Sequence, residues 1–431
     1  MLQKKVLIIS YYWPPSGGSG VQRWMYFAKY LNEFGVLPTV ITVDEKYASY
    51  PSKDLSFNKQ VNGIRVFKTK TLEPLRFYSF LKSGKTEKVV PQGNVGGSKK
   101  GLFDKIATYV RANFFIPDAR VGWNRYAYQQ ANKLISKENF DLIITTGPPH
   151  STHLVGLKLK QELNIKWMAD FRDPWTEVYY NNLFKRTQKN EEKDKALENL
   201  VIKKADHILT IGPSMKELIE SKISNKTNKV SYIYNGFDEK LFESINKIKY
   251  PEFTIAHIGL WSKNQAHKEI ISALSNILNE KQSLIIRFVL VGTIDNEIIE
   301  LLSQIPRLII DFRGKVSHKK AIQEMMNADL LLNCLAIIEN SKILISGKLM
   351  EYLATSNPII IIGNKNGDAA HLIKEINNAY VVEPNNIDEL TKLILSIKND
   401  RPNKTDFNPT IYSRKNTSNE LSKLIFSICK S

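Results

Sequence analysis

SGKLMEYLATSNPIII, running from Ser346 to Ile361, decides the fold: a short loop, a helix opening at Gly347 and Lys348, then Pro358 leading into a β-branched strand. Lys348 and Glu351 stand three apart, so on a helix they share one face and project beyond its N-terminal end. Free amides at such an end, together with a lysine, hold phosphate. A carboxylate on the same face accepts two hydrogen bonds from a vicinal diol such as a ribose. The stretch therefore predicts a site for a nucleoside diphosphate that carries a sugar. The same letters also fit a plain capped amphipathic helix, with Ser346 as N-cap and Leu349, Met350 and Leu353 in the core.

Outward from this helix, strands are predicted at Phe253–Ile258, Leu284–Val291, Leu308–Phe312, Asp329–Asn333, Ile359–Ile362 and Tyr380–Val382. Helices lie between them, and Gly259, Gly292 and Gly314 mark strand-to-helix turns. The first half repeats the alternation, with strands at Val6–Ser10, Thr39–Val43, Asp141–Thr145, Trp167–Ala169, His207–Ile211 and Val230–Tyr234. Its first helix runs from about Val21 with Trp24, Met25, Ala28 and Leu31 at helical spacing, and Gly35 stops it. Strands alternating with helices at this spacing mean parallel sheets wrapped on both faces. The 431 residues exceed one ordinary core, and fit two domains of about 200 residues. The expected division is 1–245, 246–410 and a last amphipathic helix within 411–431.

With 42% hydrophobic residues the chain can fill such cores. Cys334 and Cys429 form no metal-type or redox-type spacing, which points to a reducing, cytosolic compartment. The apolar run Val6–Ile9 is too short for a signal peptide, and no stretch approaches the roughly 20 apolar residues that span a bilayer. The net charge is +18, and residues 1–200 hold 31 Lys and Arg against 18 Asp and Glu. Such a surplus attracts phosphorylated substrates, anionic lipid or nucleic acid; a lysine-rich genome would give it too. No groove-reading motif or basic-aromatic cluster supports nucleic acid. Within the irregular stretch 73–116, GLFDKIATYVRANFF is apolar on one face, with Lys99, Lys100, Lys105 and Arg111 beside it. It is read as an interfacial membrane anchor or as a packing helix.

Several loops carry chemistry. YYWPPSGGSG ends with Gly18, Ser19 and Gly20 at a helix start, where glycines let the backbone approach a phosphate; Arg23, one turn on, could face an anion. The third glycine of a dinucleotide fingerprint is absent, Arg23 standing in its place. In TTGPPHSTH, His150 and His153 follow a strand, where α/β folds bind ligands, and either could serve as a base, as a donor to substrate, or simply as a satisfied surface histidine. MADFRDPWTE places Asp170, Arg172 and Asp173 past an apolar strand, as a site or as an Asp170–Arg172 ion pair. No Asp-x-Asp pair or His/Cys cluster suits a metal, so no metal or other cofactor is expected.

Taken in order, these segments resemble glycosyltransferase family 4 and its two-domain GT-B fold over nearly the whole chain. The resemblance rests on the loop Gly17–Gly20, PDARVGW (Pro117–Trp123), TTGPPHST, DFRDPW, ADHILTIGPSMKELI and YNGFD (Tyr234–Asp238). In the second half it rests on HIG (His257–Gly259), FVLVG (Phe288–Gly292), FRGKVSH, ADLLLN and GKLMEYLA. It implies two Rossmann-like domains facing a deep cleft, with the C-terminal helix crossing back to the first. Lys348 would contact the diphosphate and Glu351 the ribose, with Ser346, Gly347, Gly259, Gly292, Arg313 and Lys315 around the donor. Gly18 and Gly20 would approach the phosphates from the other domain; Arg23, His150, His153 and Arg172 would serve the acceptor. Asp173 falls where the family places a sugar-contacting catalytic His or Asp. The family's acid eight residues before Glu351 is replaced by Ile343, and the basic residue expected near Gln265 is missing, with Lys263 as the candidate in its place.

The resemblance implies a hexosyl- or N-acetylhexosaminyl-type transferase that retains anomeric configuration. It would move sugar from a nucleoside diphosphate to a lipid-linked or growing saccharide during cell-surface polysaccharide assembly. The expected setting is cytoplasmic, peripheral to the anionic inner face of the membrane. The alternative is a sugar-nucleotide epimerase of the same architecture.

Overall fold

The computed structural model describes residues 3–50, 52–73, 109–110, 112–178, 186–225, 228–243, 245–338, 340–400 and 407–430. Of the basic amphipathic stretch, residues 99–108 and 111, which include Lys99, Lys100, Lys105 and Arg111, lie outside them. The chain forms two compact units, Met1–Tyr234 with Lys415–Ser431, and Asn235–Arg414.

In the first unit seven parallel strands are ordered β3-β2-β1-β4-β5-β6-β7. They are β1 (Lys4–Ile9), β2 (Val36–Val43), β3 (Arg65–Thr69), β4 (Leu142–Gly147), β5 (Trp167–Phe171), β6 (His207–Thr210) and β7 (Val230–Tyr232). The central strands are near-continuous apolar runs because helices cover both faces. Val6, Ile8, Leu142, Ile144, Met168 and Leu209 share one core with Trp24, Phe27 and Leu31 of helix Ser19–Leu31. Leu421, Ile425 and Ile428 of helix Arg414–Lys430 enter the same core, so the end of the chain returns to this unit. Lys166 Nζ donates to the Ile428 carbonyl at 2.8 Å and fastens that helix. Strand β3 is absent from the sequence expectation: RVFKT is a half-exposed edge strand whose polar residues break the apolar signal.

The second unit has six parallel strands ordered β10-β9-β8-β11-β12-β13. They are β8 (Phe253–Trp261), β9 (Ile286–Ile294), β10 (Leu308–Gly314), β11 (Leu330–Cys334), β12 (Ile359–Ile362) and β13 (Ala379–Val382). β8 and β9 continue past their predicted ends, because they stay paired through Gly259 with Gly292 to Trp261 with Ile294. In both sheets strand order reverses once, between β1 and β4 and between β8 and β11. Parallel α/β sheets bind ligands beyond the carboxyl ends of the strands at such a reversal.

Candidate functional site

In the second unit the reversal is held open by one side chain. β11 pairs β8 only at Leu330 with Ile255 and Leu331 with Ala256. Where the strands part, the buried Tyr352 hydroxyl accepts from the Ile258 amide at 2.9 Å and donates to the Leu332 carbonyl at 3.3 Å. Tyr352 lies on helix Gly347–Thr355, so this bridge sets that helix's N-terminal turn at the strand ends. Ser346 occupies the N-cap position without capping by its side chain. Its hydroxyl donates instead to Asn333 Oδ1 at 3.0 Å.

Lys348 extends over Gly259: a Cβ on that glycine would stand 3.7 Å from both Lys348 Cε and Nζ. Gly259 has φ +108°, and a Cβ on neighbouring Gly292 would stand 2.1 Å from the Gly259 carbonyl oxygen. Only glycine fits that pair of strand ends. The ammonium lies 2.9 Å from His257 Nε2 and joins no salt bridge among the described residues. Burial lowers its pKa from the usual lysine range to about 8. Glu351 Oε1 is 2.7 Å from His318 Nε2, and this hydrogen bond raises the histidine's pKa against the effect of burial.

The other expected donor residues divide into free and committed. Lys263 is exposed in the turn after β8, and Lys315 is exposed beyond Gly314. Gln265, where a basic residue was expected, is a strut: Oε1 accepts from the Ser262 amide at 2.8 Å and Nε2 donates to the Cys334 carbonyl at 2.9 Å. The Arg313 guanidinium is committed to Asp311 at 3.1 and 2.9 Å, to Tyr250 at 2.6 Å, and to Glu324. Only its backbone remains for a ligand.

In the first unit the Asp170–Arg172 pair, one of the two readings of MADFRDPWTE, does not form. Buried Asp170 accepts from Arg23 Nε at 3.3 Å, Trp24 Nε1 at 2.6 Å and Thr146 Oγ1 at 2.8 Å. Arg23 also donates to the carbonyls of Ile233 at 2.8 Å and Thr210 at 3.3 Å. A buried carboxylate needs such partners, so Arg23 is framework and does not reach for an anion. Arg172 donates to the Gly147 carbonyl at 3.1 Å and to those of Pro148 and Gly20. It therefore ties together the loops that follow β1, β4 and β5, and holds Gly20 in place. Gly18 precedes helix Ser19–Leu31 at φ 97°.

His150 and His153 are buried, contrary to the surface-histidine alternative. His150 stacks on Trp175 at 5.1 Å and 11°, and His153 on Phe171 at 4.6 Å and 13°. His153 Nδ1 lies 2.9 Å from Thr145 Oγ1. Burial, with Arg172 adding its charge, pushes His150 down to about 3 and His153 well below its usual value, so both rings are neutral near pH 7. Asp173 is exposed and makes no hydrogen bond among the described residues. Surrounding protein raises its pKa, Arg172 opposes the shift and Asp170 adds to it. Sequence reasoning passed over Tyr352, His257, His318 and Asp118. Asp118, in PDARVGW, caps helix Ser151–Leu163 by accepting from the Ser151 amide and hydroxyl, both at 2.8 Å. The polar letters inside GKLMEYLA, HIG and FRGKVSH were the available signal.

The model of Glycosyltransferase Family 4 matches residues 93–241, and that of Glycosyl transferases group 1 matches 252–400. Among curated proteins no relative matches. A glycosyltransferase from Rickettsia africae ESF-5 superposes with a TM-score of 0.61 at 15% identity, covering 100% of this chain and 99% of that one. A TarM variant from S. aureus, in complex with fondaparinux, alpha-GlcNAc-glycerol and UDP, gives 0.55 at 11% over 99% and 98%. A Listeria monocytogenes protein provisionally named a UDP-N-acetylglucosamine 2-epimerase gives 0.51 at 11% over 98% and 95%. At these identities the likeness is one of fold, the two-domain GT-B architecture.

Tyr352→Phe keeps the ring and removes the bridge, leaving the Ile258 amide and Leu332 carbonyl without that partner. The expected cost is about 1–3 kcal/mol, the penalty for an unmet buried polar group. Denaturant unfolding checks it; a parent-like midpoint would show that the strands are held apart by packing alone.

Proposed function

Because the chain belongs to the family 4 glycosyltransferases, we propose that it transfers a hexosyl or N-acetylhexosaminyl group from a nucleoside diphosphate to a lipid-linked or growing saccharide. The anomeric configuration would be retained, and the product would enter cell-surface polysaccharide. The carrying observation is Lys348: a half-buried lysine at a helix N-terminus, its ammonium above a glycine, joining no salt bridge among the described residues. Such a cation is completed by an anion, and the first-turn amides of its helix favour the same charge. Glu351, one turn on, faces the ribose hydroxyls.

The chemistry follows from where charge develops. As the sugar–phosphate bond breaks, negative charge grows on the diphosphate, and Lys348 with the helix amides stabilises it. The acceptor hydroxyl gives its proton to a phosphate oxygen, so the neutral histidines of the first unit need not act as bases. Asp173 is proposed to accept a hydrogen bond from a donor-sugar hydroxyl, strengthened as positive charge builds at the anomeric carbon. The reaction as written needs no metal. The protein would work at the inner face of the membrane, drawn there by Lys99, Lys100, Lys105 and Arg111.

Lys348→Ala is expected to weaken nucleoside-diphosphate-sugar binding by about 1.5–3 kcal/mol, the worth of a charge-assisted hydrogen bond. Glu351→Ala is expected to weaken binding of the nucleoside part, with both variants folded. Titration calorimetry on a panel of nucleotide sugars checks both, and parent-like affinity in each would remove the donor site. Product analysis with and without a saccharide acceptor separates transfer from epimerisation, which proceeds without one.

Asp173→Asn tests the first unit. A contact that strengthens in the transition state lowers turnover and leaves ground-state binding alone. Turnover is expected to fall by about a hundredfold or more, with donor affinity and melting temperature unchanged. A variant that turns over normally while melting lower would make Asp173 structural.

Changing Lys99, Lys100, Lys105 and Arg111 to Gln is expected to abolish salt-sensitive sedimentation with anionic liposomes. Equal pelleting of variant and parent would place the membrane contact elsewhere, or nowhere.

A further inference from the structure

His257 has no part in the donor site as derived above, yet it is fully buried on β8 with its Nε2 2.9 Å from the Lys348 ammonium. Burial, and then the Lys348 charge, hold the imidazole pKa far below its usual value, so the ring is neutral at pH 7. One of the two nitrogens in the contact must then accept. An ammonium has no lone pair, so Nε2 is the acceptor and the ring proton sits on Nδ1. With the other tautomer, Nε2–H would face the Leu260 carbonyl at 3.4 Å and leave the lysine against a donor. The ring cannot swing away easily, since it stacks on fully buried Trp261 at 4.6 Å and 20°.

Lys348 needs such a partner. Its charge lies in the first turn of its helix, where the macrodipole opposes it, and its four-carbon stem loses rotamer freedom when fixed. We propose that His257 is a positioning residue for the diphosphate site: its unprotonated Nε2 holds the Lys348 ammonium extended over Gly259 before the anion arrives. The lysine is thus already placed when the nucleotide binds, and its ordering is not charged against binding. The proposal rests on the donor-site reading of Lys348.

The other titratable groups here are Cys334 on β11, whose thiol burial pushes above its usual range, and Glu269 beside it. With the thiol and imidazole neutral, Lys348 is the group that titrates near 8. Diphosphate binding takes the protonated lysine, so affinity is full below that pH. It falls as pH rises through that value, by up to about tenfold per unit.

The test titrates the full chain with UDP, GDP and ADP by calorimetry from pH 6.5 to 9.5, following the tightest. Four proteins are compared: the parent, Lys348→Ala, His257→Gln, and His257→Phe, with His257→Leu replacing the last if it does not fold. His257→Phe is expected to weaken binding about tenfold at pH 7.5, as for loss of one hydrogen bond to a charged group. It should also move the pH break to lower values, because the ammonium loses its acceptor. His257→Gln, which offers a carbonyl oxygen, should recover most of the affinity. If Lys348→Ala weakens binding but the apolar variants match the parent in affinity and pH break, the role of His257 is overturned. If Lys348→Ala binds normally, or no diphosphate binds the parent, the donor-site reading itself has failed.

Discussion

The Tyr352 hydroxyl, placed between the Ile258 amide and the Leu332 carbonyl, is the contact on which the second unit's site depends. Two neighbouring parallel strands that diverge leave an amide and a carbonyl facing a gap, and buried backbone groups do not stay unpaired. The phenol fills the gap and satisfies both. Because it belongs to helix Gly347–Thr355, the same bond fixes the distance from the strand ends to Lys348 and Glu351. Stability and ligand geometry are therefore one constraint here.

The first unit is organised by ions. Asp170, near the end of β5, and Arg172, just past it, turn to different loads. Asp170 gathers Arg23, Trp24 and Thr146 beneath the loops, while Arg172 gathers loop carbonyls above them. The consequence is a rigid floor of neutral aromatic and imidazole rings, with Asp173 as the exposed charge at its edge. A low-dielectric floor of this kind strengthens any electrostatic contact made above it.

The sheet architecture was legible because buried parallel strands write long β-branched runs such as Ile359–Ile362, and glycines punctuate their ends. Lys348 and Glu351 were legible because helical spacing alone puts them on one face. What the letters concealed was allegiance. An arginine reads the same whether it meets a ligand, as expected of Arg23, or a buried carboxylate, as the structure has it. His257 and Tyr352 were given no role, because the Lys348 ammonium and the Ile258 amide they meet are 91 and 94 residues away, beyond any local pattern. The Asp170–Arg172 pairing failed because Arg172 lies past the end of β5, where its guanidinium takes loop carbonyls, while Asp170 is already held by Arg23, Trp24 and Thr146.

The central claim is that an anion completes the place Lys348 occupies over Gly259. A crystal structure of the full chain grown with the tightest-binding nucleoside diphosphate tests it most directly. The account predicts the distal phosphate within about 3 Å of Lys348 Nζ, hydrogen-bonding distance, with the ribose hydroxyls on Glu351. A nucleotide bound elsewhere, with Lys348 still resting on His257, would contradict it.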